Sequence, residues 1–266
     1  MSGDDGDGQT KRFTGCVSDY VKTRPSYPRG LLGILREACG LRGASRVDRV
    51  ADLGSGTGIF STMLLESGAT VYGVEPNDEM RGAAEKLLGD NPRFHSVAAR
   101  AEHTTLAESS VDLVTAAQAF HWFDGEKTRV EMARIVRPVA SDSRSNVALV
   151  WNDRDLDATP FARAYEDLLV RRCPKYLELQ GKADTHDKFD ALLGRGRWSR
   201  HTVENAQRLD REGLVGRLLS SSYAPRPGDA EHEATFAELR AIFDQHQETG
   251  HVVLLYTTVV ITGRPR

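Results

Sequence analysis

The sequence predicts an α/β chain: a doubly wound, mostly parallel sheet that ends in an antiparallel strand pair and carries a small helical cap. Three observations lead there. Short apolar runs alternate with segments of helical periodicity between Arg29 and Trp151, the pattern of βαβ units that place helices on both faces of a parallel sheet. A glycine-rich turn, Gly54-Ser55-Gly56-Thr57-Gly58, follows the first run and opens a helix, which is where such sheets receive ligands. After Asn152 helical segments outnumber strands, and two late runs, His201 to Ala206 and His251 to Thr262, remain to close the sheet.

Each element has its own signal. From Arg29 to Cys39 the residues Leu31, Leu32, Ile34, Leu35 and Ala38 recur at helical spacing, with Gly40 placed as a C-cap. Val50 to Leu53 reads as the first strand, Ile59 to Glu66 as a helix, and Thr70 to Glu75 as the second strand. Asn77 can cap the next helix, whose inner face is expected to be Met80, Ala83, Ala84, Leu87 and Leu88. Strands at Phe94 to Ala98 and Val111 to Ala117, a helix over Glu126 to Val136 and a strand at Val147 to Trp151 continue the alternation. Helices are expected around Phe161 to Arg172, Leu214 to Ser220 and Ala234 to Gln247. The organisation that results is a polar tail over 1–12, an α/β core with an N-terminal arm over 13–158, a cap over 159–200, and closing elements over 201–266.

Composition narrows the function. The chain has 266 residues, 39% of them hydrophobic and 27% charged, with a formal net charge of -3, so neither a basic face nor an RNA-binding module points to nucleic acid. A small-molecule acceptor is the expected partner. Cys16, Cys39 and Cys173 are far apart and odd in number, which fits incidental thiols in a reducing cytoplasm. The first twelve residues lack the basic start and apolar stretch of a secretory signal, and the longest apolar run, Val252 to Ile261, is too short for a membrane helix. A cytoplasmic chain with no membrane partner is expected.

The chemistry concentrates at the glycine turn. Its spacing is G-x-G-x-G, and Ile59 stands where a dinucleotide fingerprint would need its third glycine. Asp52 directly before the turn and Glu75 at the end of the second strand add an acid where a ribose would lie. The tight-turn reading of the glycines and the solvated-strand-end reading of Glu75 are the bland alternatives. A nicotinamide-dependent oxidoreductase is the less favoured functional one.

Val50 to Phe60 resembles the first motif of class I S-adenosylmethionine-dependent methyltransferases, and Gly73-Val74-Glu75-Pro76-Asn77-Asp78-Glu79-Met80 resembles their second. Tyr20, the run Arg24-Pro25-Ser26-Tyr27-Pro28, and Gln118 to Asp124 are similar to the subgroup of trans-aconitate and ubiquinone-pathway enzymes. The resemblance implies a Rossmann-like fold and S-adenosyl-L-methionine as cofactor. It implies that Asp52, Gly54, Ser55, Gly56, Thr57 and Gly58 hold the methionyl part, Glu75 with Pro76 the ribose diol, Met80 an adenine face, and Ala101 with Glu102 the adenine edge. Tyr20, Arg24 and Gln118 complete the implied cofactor set. Arg100 stands where many relatives carry an Asp for the adenine amino group, so Glu102 or backbone groups must serve there.

Transfer of a methyl from a sulfonium is an in-line displacement that asks a protein to position two reactants and exclude water. A hydroxyl acceptor gains from a base, whereas a carboxylate needs only cationic donors to orient it. His121 follows the fourth strand among Phe120, Trp122 and Phe123, and it reads either as a base or as one wall of an acceptor pocket. Arg24 is a candidate for orienting an anion. Trp151, Asn152, Arg154 and Tyr223 are the other expected pocket residues, with Arg154 a candidate anion clamp. Asn152, Asp153 and Asp155 are better explained by a polar loop after the strand than by a metal site. A non-catalytic protein that binds S-adenosylmethionine on the same fold is the remaining alternative.

Overall fold

The computed structural model describes residues 23–42, 48–138, 144–180 and 186–265. The expected tail over 1–12, Cys16 and Tyr20 lie outside the described residues. In chain order the elements are α1 (Gly30–Cys39), β1 (Arg49–Leu53), α2 (Ile59–Glu66), β2 (Thr70–Val74), α3 (Asp78–Leu88), β3 (Phe94–Val97) and β4 (Leu113–Ala117). A single 3-10 turn over Phe120–Trp122 leads into α4 (Gly125–Ile135). Then follow β5 (Val147–Arg154), α5 (Pro160–Arg172), α6 (Lys175–Gln180), α7 (His186–Leu193), β6 (Ser199–Leu209), α8 (Arg211–Leu219), α9 (His232–His246) and β7 (Val252–Gly263).

The seven strands form one sheet in the order β3-β2-β1-β4-β5-β7-β6. Neighbours from β3 to β5 pair in parallel, and β7 runs antiparallel to both β5 and β6. The chain therefore reverses direction of progress between β1 and β4, the switch point at which open α/β sheets form a crevice. β1 is buried at four of its five positions because both sheet faces are covered. On one face α1, α2 and α3 bury Leu31, Leu35, Phe60, Leu64 and Leu88 against Val50, Val71 and Val150. On the other, α4 and α7 bury Met132, Ile135, Leu192 and Leu193 against Leu53, Val114 and Leu149.

A third apolar cluster sits beyond the sheet proper. Phe161, Tyr165 and Leu168 of α5, Leu214 and Leu218 of α8, and Phe236 and Leu239 of α9 pack with Leu254 and Tyr256 of β7. The segment expected as a cap, 159–200, therefore distributes over two places: α5 and α6 join α8 and α9 in this cluster, while α7 covers the sheet beside α4. This cluster rests on an overhang. β5 runs on to Arg154, pairing with β7 as far as Tyr256, while β1, β2 and β4 each stop after five residues.

Local chemistry sets the helix starts. Asn77 Oδ1 accepts from the Met80 N–H at 2.9 Å, with Asp78 and Glu79 in the first turn of α3. Thr159 Oγ1 caps α5 by accepting from the Ala162 N–H at 3.0 Å, with Pro160 at its first position. Two expectations need correction. Leu87 is 52% exposed, because the buried stripe of α3 follows the i, i+4 spacing of Met80, Ala84 and Leu88. Val111 makes only a bridge to Val136 and the β4 ladder begins at Leu113, since the Asp112 carboxylate accepts from the Arg49 N–H and from Arg137.

Candidate functional site

A cleft opens at the carboxyl ends of β1, β2, β4 and β5. Its floor is the glycine turn. Gly54, Gly56 and Gly58 all have positive φ, at 66°, 55° and 86°, and the Gly54 and Ser55 N–H groups both donate to the Val74 carbonyl, which seals the turn onto the end of β2. A Cβ on Gly54 would lie 2.6 Å from that of Ala119, so the β1 and β4 loops touch there without room for a side chain. Gly58 stands behind the cleft, where it lets α2 approach Leu88 and Ala84 of α3.

Two carboxylates shape the half of the cleft beside β1 and β2. Glu75 Oε2 accepts from the Gly56 N–H at 3.0 Å and Oε1 from the Asn77 N–H at 2.8 Å. Burial raises the Glu75 pKa, against the pull of those two N–H groups and of Arg81. Asp52 lies deeper. Its Oδ2 accepts from Ser61 Oγ at 2.7 Å and its Oδ1 from Thr115 Oγ1 at 3.0 Å, tying β1 to α2 and β4. Burial pushes its carboxyl up to about 6, with the two hydroxyls opposing and Glu75 adding to the rise. Thr57 Oγ1 is buried in the cleft lining with no hydrogen-bond partner among the described residues.

Of the residues expected at the site, Arg24, Asp52, Gly54, Ser55, Gly56, Thr57, Glu75, Pro76, Met80, Ala101, Glu102, Gln118, Trp122, Phe123 and Asn152 line this cleft together. Glu102 Oε1 also accepts from the Asp124 N–H at 2.9 Å, which braces the start of α4. Gln118 has φ of 56°, uncommon for a residue with a side chain, and its N–H donates to Val150 O at 2.8 Å.

Others stand apart from the lining. Phe120 is core, edge-on to Phe123. His121 sits behind Trp122 with ring centroids 4.7 Å apart, and its pKa falls to about 4 through burial and the nearby Lys188 charge. Trp151 turns to the opposite sheet face against Phe189. Arg154 is not open as a clamp: it is ion-paired with Glu166, donates to Tyr176 Oη at 2.9 Å, and lies over the Tyr165 ring. Tyr223 packs edge-on against Tyr176. Asn152 and Asp153 are strand residues paired with Thr258 and Thr257, not loop.

Among the lining residues that sequence reasoning missed are Tyr27, Phe60, Arg217 and Tyr256. Tyr27 and Phe60 meet edge-on at 4.8 Å beside the turn. Arg217 and Tyr256 come from α8 and β7, far along the chain and without a local motif to mark them. Among the described residues no group of three or more His, Cys, Asp or Glu side chains could hold a metal ion.

Comparison with known proteins bears on this cleft directly. A family described as a methyltransferase domain matches residues 51–140, from β1 through the loop after α4. A protein of Mycobacterium tuberculosis called an uncharacterized methyltransferase is 29% identical over 94% of this chain and 93% of its own length. A solved structure from Anaeromyxobacter dehalogenans, named for a type II methyltransferase, superposes with a TM-score of 0.61 at 26% identity, over 91% of this chain and 97% of that one. A Haemonchus contortus phosphoethanolamine N-methyltransferase, solved with phosphomonomethylethanolamine and S-adenosylhomocysteine, shares the fold at a TM-score of 0.50 and 14% identity, over 100% of this chain and 61% of that one.

Proposed function

We propose that this chain is a class I methyltransferase that takes the methyl group from S-adenosyl-L-methionine and delivers it to a small-molecule acceptor. The observation that carries the choice of donor is Glu75. Its carboxylate is fixed from below by the Gly56 and Asn77 N–H groups, which leaves its remaining lone pairs toward the cleft for a vicinal diol. The orphaned Thr57 Oγ1 and the glycine turn beside it fit the same ligand. When bound, that cofactor supplies a methyl on a sulfonium, which leaves as the acceptor atom bonds to it from the opposite side.

The residues then divide the work. Glu75 with Pro76 holds the ribose, and Met80 and Ala101 give apolar faces to the adenine. The turn from Gly54 to Thr57 receives the methionyl part. Asp52, tied to α2 through Ser61 and to β4 through Thr115, holds the start of that turn in place. Arg24 fixes the entry segment through its bond from Nη2 to Ser220 O at 2.7 Å. Trp122, Phe123 and Gln118 border the space where an acceptor would meet the methyl and keep water from it. His121 acts through Trp122 as a positioning residue. The resemblance of Gln118 to Asp124 and of the entry segment to the trans-aconitate and ubiquinone-pathway subgroup supports a small organic acceptor rather than a macromolecule.

Calorimetric titration of the full chain with S-adenosylhomocysteine and, separately, with NADH tests the donor. Saturable binding of the first and none of the second is expected. Binding of NADH alone would transfer the cleft to hydride chemistry. A screen of small acids, phenols and quinones with radiolabelled methyl donor then tests the acceptor class.

A further inference from the structure

Arg217 of α8 is 7% exposed, yet it lines the cleft. Among the described residues no carboxylate pairs with it. Its Nη1 donates to Ser221 Oγ at 3.1 Å, and its Nε is buried without an acceptor among the described residues. The other buried guanidinium nearby, Arg154, takes Glu166 for itself. Of these two guanidiniums, Arg154 thus has a carboxylate partner and Arg217 has none among the described residues. A guanidinium does not escape burial by losing its proton, and a buried charge without a counter-charge is costly.

Position separates this charge from the donor half. Glu75 follows β2 and Tyr256 belongs to β7, four strand steps away across β1, β4 and β5, or roughly 19 Å at the usual strand spacing. Asn152, on β5, lies at the same end of the cleft as Tyr256, and Gln118 at the tip of β4 stands between the two halves. We propose that Arg217, at the end of the cleft lined by Tyr256 and Asn152, binds an oxyanion of the acceptor, a carboxylate or a phosphate, and so selects acids as methyl acceptors. The fork of N–H donors suits two oxygens of one anion, and the burial of Arg217 limits the water that would otherwise screen the pair. The assignment rests on the donor reading of the other half.

The test is calorimetry on the full chain saturated with S-adenosylhomocysteine, using acids paired with neutral counterparts: benzoate with benzamide, succinate with succinamide, and phenyl phosphate with phenol. At least one acid is expected to bind about tenfold or more tightly than its counterpart, the carboxylate and phosphate pairs showing which oxyanion fits. In Arg217→Gln that preference should fall to about twofold or less while affinity for S-adenosylhomocysteine stays within about twofold of wild type. Arg217→Lys, which keeps the charge and loses the fork, should retain part of the preference and serves, with the wild-type pairs, if the Gln variant does not fold. Three results would overturn the proposal: no acid preferred in the wild type, a preference that survives in Arg217→Gln, or loss of S-adenosylhomocysteine affinity in step with it, which would make Arg217 a donor ligand. Failure of the donor reading shows separately, as absence of S-adenosylhomocysteine binding before any acid is added.

Discussion

Glu75 joins two tasks in one side chain, since the oxygens that would meet a ribose also hold the Gly56 and Asn77 N–H groups. Glu75→Ala should therefore weaken S-adenosylhomocysteine by about 1.5 to 3 kcal/mol, the range for a hydrogen bond to a charged group. The decisive readout is a 2′-deoxy cofactor analogue, whose penalty in wild type should vanish in the variant. An equal penalty in both would remove Glu75 from the diol. His121 makes the opposite case. Its pKa is lowered to about 4 by burial and Lys188, and it stands behind Trp122. A group that titrates there cannot produce a limb in a pH profile near neutrality. His121→Asn is expected to keep the shape of the kcat profile between pH 6 and 8 and to raise the acceptor KM, because Trp122 loses its support. A neutral limb that disappears in the variant, with KM intact, would make His121 the base after all.

At the scale of elements, α4 is held to the segment after β3 by one buried carboxylate. Glu131 Oε1 accepts from the Thr104 N–H at 2.7 Å and from Thr104 Oγ1 at 2.6 Å, and Arg134 Nη2 donates to it at 2.7 Å. Burial alone would raise this carboxyl, but Arg134 and Thr104 hold it down to about 2, against an ordinary 4.5. The fold thus favours the ionised form, so the stability it contributes is complete above about pH 4.5 and is lost as pH falls toward 2. The difference in urea unfolding free energy between wild type and Glu131→Gln should shrink over that window, and a difference indifferent to pH would locate the stability elsewhere. Nothing in the spacing of residues announced this tie, because it crosses from a loop to a helix 27 residues on. Apart from α6 and α7, which sequence reasoning missed, the helices and strands themselves were legible, since periodicity, the Asn77 cap and Gly40 are local signals. Their ends were less so: β5 outlasts its apolar run because β7, a hundred residues later, pairs with its polar extension.

The whole molecule explains why the two halves of the cleft were unequally visible. The donor half is written in consecutive stretches, Asp52 to Gly58 and Glu75 to Met80, that fall beside each other as soon as β1 and β2 pair. The other half gathers Arg24, Asn152, Arg217 and Tyr256 from four distant parts of the chain, and only closure of β7 against β5 brings them together. Arg154 and Tyr223 were plausible there for the same reason that Arg217 was overlooked: sequence places a residue near a strand end without saying which neighbour takes its charge. The overhang of β5 and β7 has a consequence for inheritance. The stretch that matches the methyltransferase domain family, residues 51–140, ends before β5, while Asn152, Arg217, Tyr256 and the helices carried on the overhang all come later. On the proposed division of labour, descendants of such a chain can trade one acceptor for another by rewriting the overhang, while the part that recognises the shared donor stays under its own, separate selection.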